Sequence, residues 1–468
     1  MPVWFGTDGL RGTSFQFPVA EAPFRAIGFF WGRFLRERYG SSVEVLVARD
    51  TRASGGPLTR ALMEGLSAAG CRCLDVGVFP TPATIWLAAD RGCFAAIVTA
   101  SHNPYPDNGL KLVGPDGKKV PVEVEDYLEG RLREYVPPPD VLNVRPYGEE
   151  AAHRYQAYVT RTFPQVARSD VPKPPLYLDL AHGAAYVLYP RILRALGWSV
   201  YPLHDRPDGT NINDRAGAVY PESLLRVMRA SAPSDSLGFA YDGDADRAIL
   251  VRPDHGVLDG HHLLAVLALY AQEQGWRPTR PAVVSTVMAN QALEAFLAER
   301  GIELIRTPVG DKYVLQAIEE NDLLLGAEPS GHLICRSLSP TGDGLLTTLL
   351  YLTVWLERPD LIRDVLTSYR PYPQVLRNVP VARKVPLEQV PGLQEAIARA
   401  RDRLGGQGRV FVRYSGTEPV LRILVEAPSE ALTVEVADQL AQAAGRVFGS
   451  TEGGPGGEPA GKAARVRE

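Results

Sequence analysis

The 468-residue chain is 45% hydrophobic and 22% charged, ordinary values for a globular protein, and its length predicts three or four domains with ample material for several cores. A net charge of −4 with intermixed signs excludes a basic nucleic-acid footprint and a membrane-binding patch. The four cysteines (Cys71, Cys73, Cys93, Cys335) show neither a C-x-x-C pair nor zinc spacing, Met1-Pro2-Val3-Trp4 is not a signal peptide, and no apolar run reaches membrane-spanning length, so a reduced, cytoplasmic location is expected.

In chain order, one pattern recurs with different endings. Val43–Ala48 reads as a buried strand, Pro57–Ala69 as a helix, and Leu74–Val78 and Ala95–Val98 as strands. A second round runs from the strand Leu176–Leu180 through a helix near Val187–Leu196 to Val200–Leu203, and then to Leu237–Tyr241. The third takes Ala282–Ser285, the helix Gln291–Arg300, Leu304–Arg306 and Leu323–Leu325. Alternation of this kind predicts an α/β fold: three similar α/β domains with mixed sheets around a central cleft, plus a smaller C-terminal α+β domain. Proline- and glycine-bearing breakers, among them Val136–Pro139 and Gly256–Gly260, place the domains at 1–148, 149–255, 256–369 and 370–448, with Tyr369–Pro373 as a linker. The Gly/Pro/Ala/Arg-rich stretch 449–468 has almost no apolar residues and is expected to be disordered.

Each round ends a strand in a polar loop. Ala100-Ser101-His102-Asn103-Pro104 follows the apolar run Phe94–Val98 and precedes Asp107-Asn108-Gly109-Leu110-Lys111, placing a hydroxyl nucleophile candidate at a strand end beside a histidine and ten residues before a lysine. Leu237–Tyr241 opens into Asp242-Gly243-Asp244-Ala245-Asp246-Arg247, where three carboxylates at alternate positions repel one another unless a cation with a taste for hard oxygen ligands sits among them. An EF-hand is excluded, because counting from Asp242 the sixth position is Arg247 and the twelfth is Pro253. A solvated acidic turn is the alternative.

In the third loop, Glu328, Ser330 and His332 suit a carboxylate gripping sugar hydroxyls with an imidazole near a reacting oxygen; a surface turn with an incidental histidine is the bland alternative. Near the C-terminal end, Arg413-Tyr414-Ser415-Gly416-Thr417-Glu418-Pro419 and Arg422 offer guanidinium groups, hydroxyls and a glycine amide, a set able to cradle a phosphate dianion, or else a plain turn between strands.

Together, Phe5–Gly12, Thr99–Lys111, Tyr241–Arg247, Glu328–His332 and Arg413–Pro419 resemble the α-D-phosphohexomutases, in the same order and over nearly the whole chain. Ser101–Gly109, Pro207–Asn213, Val309–Val314 and Thr341–Gly344 are most similar to the phosphoglucosamine mutase branch. Pro329 departs from the glutamine usual there, which keeps phosphomannomutase/phosphoglucomutase as an alternative. The resemblance implies a mutase that moves phosphate between the 6- and 1-positions of a hexose phosphate through phospho-Ser101 and a hexose 1,6-bisphosphate, acting as a monomer or homodimer. It implies one Mg²⁺ on Asp242, Asp244, Asp246 and a phosphoserine oxygen; Lys111, His102 and Arg11 flanking the transfer, with Arg247 in support; and Glu328 and Ser330 on the sugar. Lys111 is the acid/base candidate, with His102 or His332 as substitutes, and Arg413, Ser415, Thr417 and Arg422 bind the non-reacting phosphate. Two other classes remain. A phosphohydrolase with Asp242 as nucleophile is disfavoured by Asp246, and a silent sugar-phosphate binder is expected to have lost Ser101 or a metal-loop aspartate.

Overall fold

The computed structural model describes residues 4–6, 9–139, 141–168, 170–276, 280–415 and 419–448. The stretch 449–468, expected to be disordered, lies outside them. Among the described residues the strands form four sheets. The first has seven strands in the order Phe5–Gly6, Gly9–Thr13, Asp107–Val113, Phe94–Val98, Glu44–Arg49, Arg72–Val78, Val144–Pro146. Its middle is parallel, whereas Asp107–Val113 runs antiparallel to Phe94–Val98. The second sheet orders Gly256–Leu258, Ala248–Arg252, Leu237–Tyr241, Leu176–Asp179 and Val200–Leu203; the third orders Glu303–Thr307, Ala282–Thr286, Leu325–Ala327 and Leu333–Cys335. Three antiparallel strands, Gln374–Pro380, Val420–Glu426 and Arg409–Tyr414, make the fourth. The α/β reading with mixed sheets and a smaller C-terminal α+β part is what this chain adopts.

Continuous apolar runs explain the central strands. Phe94–Val98 and Leu237–Tyr241 are buried at every position, as strands covered on both faces must be. Helices Glu21–Tyr39 and Gly55–Ala68 bring Phe24, Trp31, Leu58 and Leu62 onto Val45, Val47 and Phe94, burying one continuous core. The 19-residue helix Glu21–Tyr39 was not among the expected elements: Pro23, Gly28 and Gly32 lower its local helix preference, and tertiary burial supplies the stability instead. The expected strand at Leu323–Leu325 starts only at Leu325, because the Leu323 amide is used to close the end of helix Asp311–Glu320 on Ile318 O at 2.8 Å.

The described residues cluster into two compact units, Met1–Met288 with Leu304–Leu366, and Ala289–Glu303 with Thr367 onward. Helix Gln291–Ala298 therefore groups with the C-terminal strands, and the bonds say why. The Asn290 side chain exchanges two hydrogen bonds of 3.0 Å with the Tyr372 backbone, and the Gln291 amide donates to Glu426 Oε2 at 2.8 Å. The second unit has a core of its own in Leu421, Ile423, Val425, Leu393 and Leu440. Among the described residues no helix is long and apolar enough to cross a membrane, and all four cysteines are free and buried.

Candidate active site

Four loops carry the chemistry, and each is the tip of an antiparallel strand pair. Ile97 pairs with Lys111, Tyr241 with Ala248, Ala327 with Leu333, and Tyr414 with Leu421. A hairpin tip holds its side chains on a stem whose register is set by hydrogen bonds, which makes it a rigid mount. Lys111 accordingly sits on a strand, directly across the sheet from Ile97, and its long side chain reaches the Asp loop.

Ser101 and the Asp loop meet. Ser101 Oγ donates to Asp242 Oδ2 at 2.8 Å, and His102 Nδ1 lies 3.3 Å from the same hydroxyl. Burial, then the Arg247 and Arg11 charges, push His102 down to about 4, so its ring is neutral at pH 7. Arg11 Nη1 donates to Ala100 O at 3.3 Å, which places its guanidinium beside the serine loop. Lys111 Nζ donates to Asp244 Oδ2 at 3.1 Å and lies 3.5 Å from Asp246 Oδ2, and Arg247 Nε stands 4.0 and 3.9 Å from Asp242 and Asp246.

Asp242, Asp244 and Asp246 are all buried, and each offers an oxygen within 4.8 Å of the others. Asp244 Oδ1 and Asp246 Oδ1 have no hydrogen-bond partner although both are shielded from solvent. Buried carboxylate oxygens left in that state are costly, and three hard oxygen donors converging on one point fit a divalent cation. The electrostatics agree. Burial and the neighbouring charges of Asp246 and Asp244 push the Asp242 carboxyl well up; for Asp246, burial opposes ionisation but Lys111, His332 and Arg247 outweigh it and hold the group well below the usual carboxylate range. The solvated-turn alternative fails on this burial.

The third loop is split in its exposure. Glu328 and Ser330 are half-buried, with Ser330 Oγ 3.4 Å from Glu328 Oε2 and the Gly310 amide donating to Glu328 Oε1 at 3.2 Å. His332 is buried instead, its Nδ1 3.7 Å from Asp246 Oδ1. Burial disfavours a charged ring there, yet Asp246, with Asp311 and Glu328, pulls His332 up to about 9. The Gly342 amide nevertheless donates to Nε2 at 3.1 Å, which requires a lone pair on that nitrogen; the hydrogen bond assigns a neutral ring with its proton on Nδ1, toward Asp246.

In the C-terminal unit, Arg413 and Arg422 are directly opposed on adjacent antiparallel strands. Like charges across a strand pair repel, and an anion between them removes the repulsion. Ser415 is buried, its amide donating to Val420 O at 2.9 Å, and Lys384 Nζ donates to Ser415 O at 2.6 Å. Gly416 and Thr417 lie outside the described residues.

Sequence reasoning missed several residues at these loops. Asp50 and Arg52 hold the serine loop from behind, and their signal was available, since Ala48-Arg49-Asp50-Thr51-Arg52 ends a buried strand in the same way as the serine loop does. Asn213 donates to Ser101 O at 2.9 Å; it lay in the quoted Pro207–Asn213 segment without a role. Thr81, whose hydroxyl donates to Asp244 Oδ2 at 2.8 Å, and Lys384 carried no sequence signal.

Residues 2–136, 153–256, 259–372 and 376–443 match, in that order, alpha/beta/alpha domains I, II and III and the C-terminal domain of phosphoglucomutase/phosphomannomutase. The chain belongs to the phosphoglucomutase/phosphomannomutase family. A phosphoglucosamine mutase of Solidesulfovibrio magneticus is 38% identical over 451 residues, covering 95% of this chain and 99% of its own. In fold, the chain is similar to a phosphoglucomutase/phosphomannomutase family protein from Burkholderia thailandensis, with TM-score 0.73 and 24% identity over 97% of this chain and 99% of that one. It is also similar to Aspergillus fumigatus N-acetylphosphoglucosamine mutase in complex with GlcNAc-6P and magnesium, with TM-score 0.65 and 19% identity over 96% of each chain. Membership of this family makes the chain a mutase and sets aside the phosphohydrolase and silent-binder readings.

Proposed function

We propose that this chain is a phosphoglucosamine mutase that interconverts glucosamine 6-phosphate and glucosamine 1-phosphate, a step toward UDP-GlcNAc and cell-wall precursors in the cytoplasm. The observation that carries the reading is the hydrogen bond from Ser101 Oγ to Asp242 Oδ2, which puts a nucleophilic hydroxyl against a buried three-carboxylate cluster. The name carried by the 38% identical relative supports the hexosamine.

In this reading Ser101 carries the phosphoryl group. A hexose 6-phosphate is anchored through its non-reacting phosphate by Arg413, Ser415, Gly416, Thr417 and Arg422, whose opposed arginines favour a dianion. Glu328 and Ser330 hold sugar hydroxyls. The 1-hydroxyl oxygen attacks phosphorus, the bond to Ser101 Oγ breaks, and a 1,6-bisphosphate results; after it turns over, Ser101 Oγ takes the 6-phosphoryl group and releases the 1-phosphate. A Mg²⁺ held by Asp242, Asp244 and Asp246 would neutralise charge developing on the transferring group. Lys111, fixed on Asp244 and Asp246, and Arg11, beside the serine loop, contribute further positive charge; Lys111 is the acid/base candidate for the reacting hydroxyl, since burial and the nearby arginines keep the His102 ring neutral.

The test runs coupled assays on glucosamine, glucose and mannose 6-phosphates side by side, with intact-mass analysis after exposure to a hexose 1,6-bisphosphate. Glucosamine 6-phosphate is expected to give the highest kcat/KM, and the protein to gain one phosphate that Ser101→Ala does not. A higher value for glucose or mannose phosphate transfers the chain to the phosphomannomutase/phosphoglucomutase reading, and phosphate on another residue removes Ser101 from its role.

A further inference from the structure

Ser101 sits at φ 50°, in the left-handed region that costs a non-glycine residue about 1–3 kcal/mol, so its surroundings must hold it there. The restraint begins behind the loop. The Ser101 amide donates to Thr99 Oγ1 at 2.9 Å, and that hydroxyl donates to Asp50 Oδ2 at 2.7 Å. Arg52 Nε donates to the same Asp50 oxygen at 2.9 Å, and the Arg52 amide to Asp50 Oδ1 at 3.0 Å. From that base Arg52 Nη2 reaches the carbonyl oxygens of Ser101 at 3.0 Å and Asn103 at 2.8 Å, while Nη1 donates to Pro104 O. Asn213, from the segment before the second domain's metal loop, donates through Nδ2 to the same Ser101 and Asn103 carbonyls at 2.9 and 3.1 Å.

We propose that Arg52, seconded by Asn213, is a positioning residue for phosphoryl transfer, gripping the carbonyls of the serine loop so that Ser101 Oγ keeps one bearing whether or not it carries phosphate. The inference rests on Ser101 being the phosphoryl carrier.

Three features argue for this above a generic structural role. Arg52 is 1% exposed, and the three nitrogens of its planar fork donate to four acceptors, on Asp50, Ser101, Asn103 and Pro104, more than the three N–H groups on the single nitrogen of lysine can serve. Its charge is matched locally: burial pushes the Asp50 carboxyl up and Arg52 pulls it down, and with both oxygens already accepting from Arg52 and Thr99 the pair is ionic and nearly neutral overall. Arg52 therefore acts on the phosphoryl group through geometry more than through its field. Lastly, the reaction loads and unloads the same hydroxyl in every cycle. A left-handed serine released from its carbonyl anchors relaxes toward the extended region and swings Oγ off line, and a misplacement of about 1 Å costs on the order of 10²-fold in rate.

The experiment follows the phosphoryl group in single turnovers of the whole protein. The wild type, incubated with glucose 1,6-bisphosphate, is first mapped by peptide mass; phosphate on a residue other than Ser101 overturns the carrier reading and this inference with it. With Ser101 labelled, Arg52→Lys is expected to slow both loading from the bisphosphate and discharge to the hexose phosphate by a common factor of about 10 or more, with KM within about 2-fold of wild type. Arg52→Ala is expected to regain part of the lost rate on addition of millimolar methylguanidinium. Asn213→Ala leaves the buried ion pair intact, decides the matter should the Arg52 variants not fold, and is expected to slow the same two steps by about 3- to 10-fold. Ser101 labelled at wild-type rates in a folded variant, or a rise in KM equal to the fall in kcat, overturns the positioning role while leaving the carrier reading in place.

Discussion

Thr81 Oγ1 donates to Asp244 Oδ2 at 2.8 Å, and Lys111 Nζ donates to the same oxygen at 3.1 Å. One oxygen of Asp244 is thereby saturated, and the other, Oδ1, is left buried without a hydrogen bond, which suits it to the Mg²⁺ proposed above. Groups that orient a ligating carboxylate typically account for 10- to 100-fold in metal affinity. Thr81→Val keeps the shape and deletes the hydroxyl, so it is expected to weaken Mg²⁺ binding by about 10-fold in a calorimetric titration. Unchanged affinity would show that Lys111 alone orients the carboxylate.

Gly243 marks where the metal loop presses on the serine loop. A Cβ there meets Ser101 O at 2.7 Å and Asn213 Nδ2 at 2.9 Å, distances that force one loop to shift. Gly243→Ala is expected to lower kcat by about 10-fold or more while the protein still unfolds cooperatively on heating. Wild-type turnover in this variant would mean that the two loops tolerate separation.

The opposed arginines of the C-terminal unit give a third expectation. Arg422→Ala removes half of a like-charged cross-strand pair, so inorganic phosphate should protect the variant less against thermal unfolding, and KM for the sugar phosphate should rise. A change in kcat accompanies it if remote binding energy also aligns the reacting hydroxyl. Equal phosphate protection in variant and wild type would withdraw the phosphate role.

Asp343 supplies a pH dependence. It caps helix Gly344–Glu357 through Leu346 N at 3.0 Å and accepts the Tyr155 hydroxyl at 2.6 Å, and burial pushes its carboxyl up from 3.8 to about 6. The folded chain thus keeps a proton that the unfolded chain has lost, so this group's contribution to stability falls as pH rises from about 4 to about 6 and is level above. The change is at most about 3 kcal/mol. Urea unfolding across pH 4 to 8 is expected to show a slope over that window in the wild type that Asp343→Asn flattens; parallel curves would assign the proton uptake to another group.

What the sequence determined by itself was the set of reactive loops and the family of fold. Short uninterrupted apolar runs such as Phe94–Val98 and Leu237–Tyr241, closed by polar glycine-bearing segments, read as buried strands ending in loops; the spacing of Asp242, Asp244 and Asp246 carries its own electrostatic demand for a cation. The return strands were harder to see, because Asp107–Val113 and Leu333–Cys335 gain their strand state from pairing with a neighbour and not from a pattern of their own. Tertiary structure alone decided who supports whom. Thr81 reaches Asp244 across 163 positions of chain and Asn213 reaches Ser101 across 112, and no local rule of period, propensity or spacing acts over such separations. His332 shows the same limit: its neighbours in sequence, Glu328 and Ser330, are half-exposed, while packing turns its own ring inward to Asp246 and the Gly342 amide. Residue chemistry is written position by position, but the orientation of a buried polar group is set by which donors and acceptors the folded chain brings within reach of it.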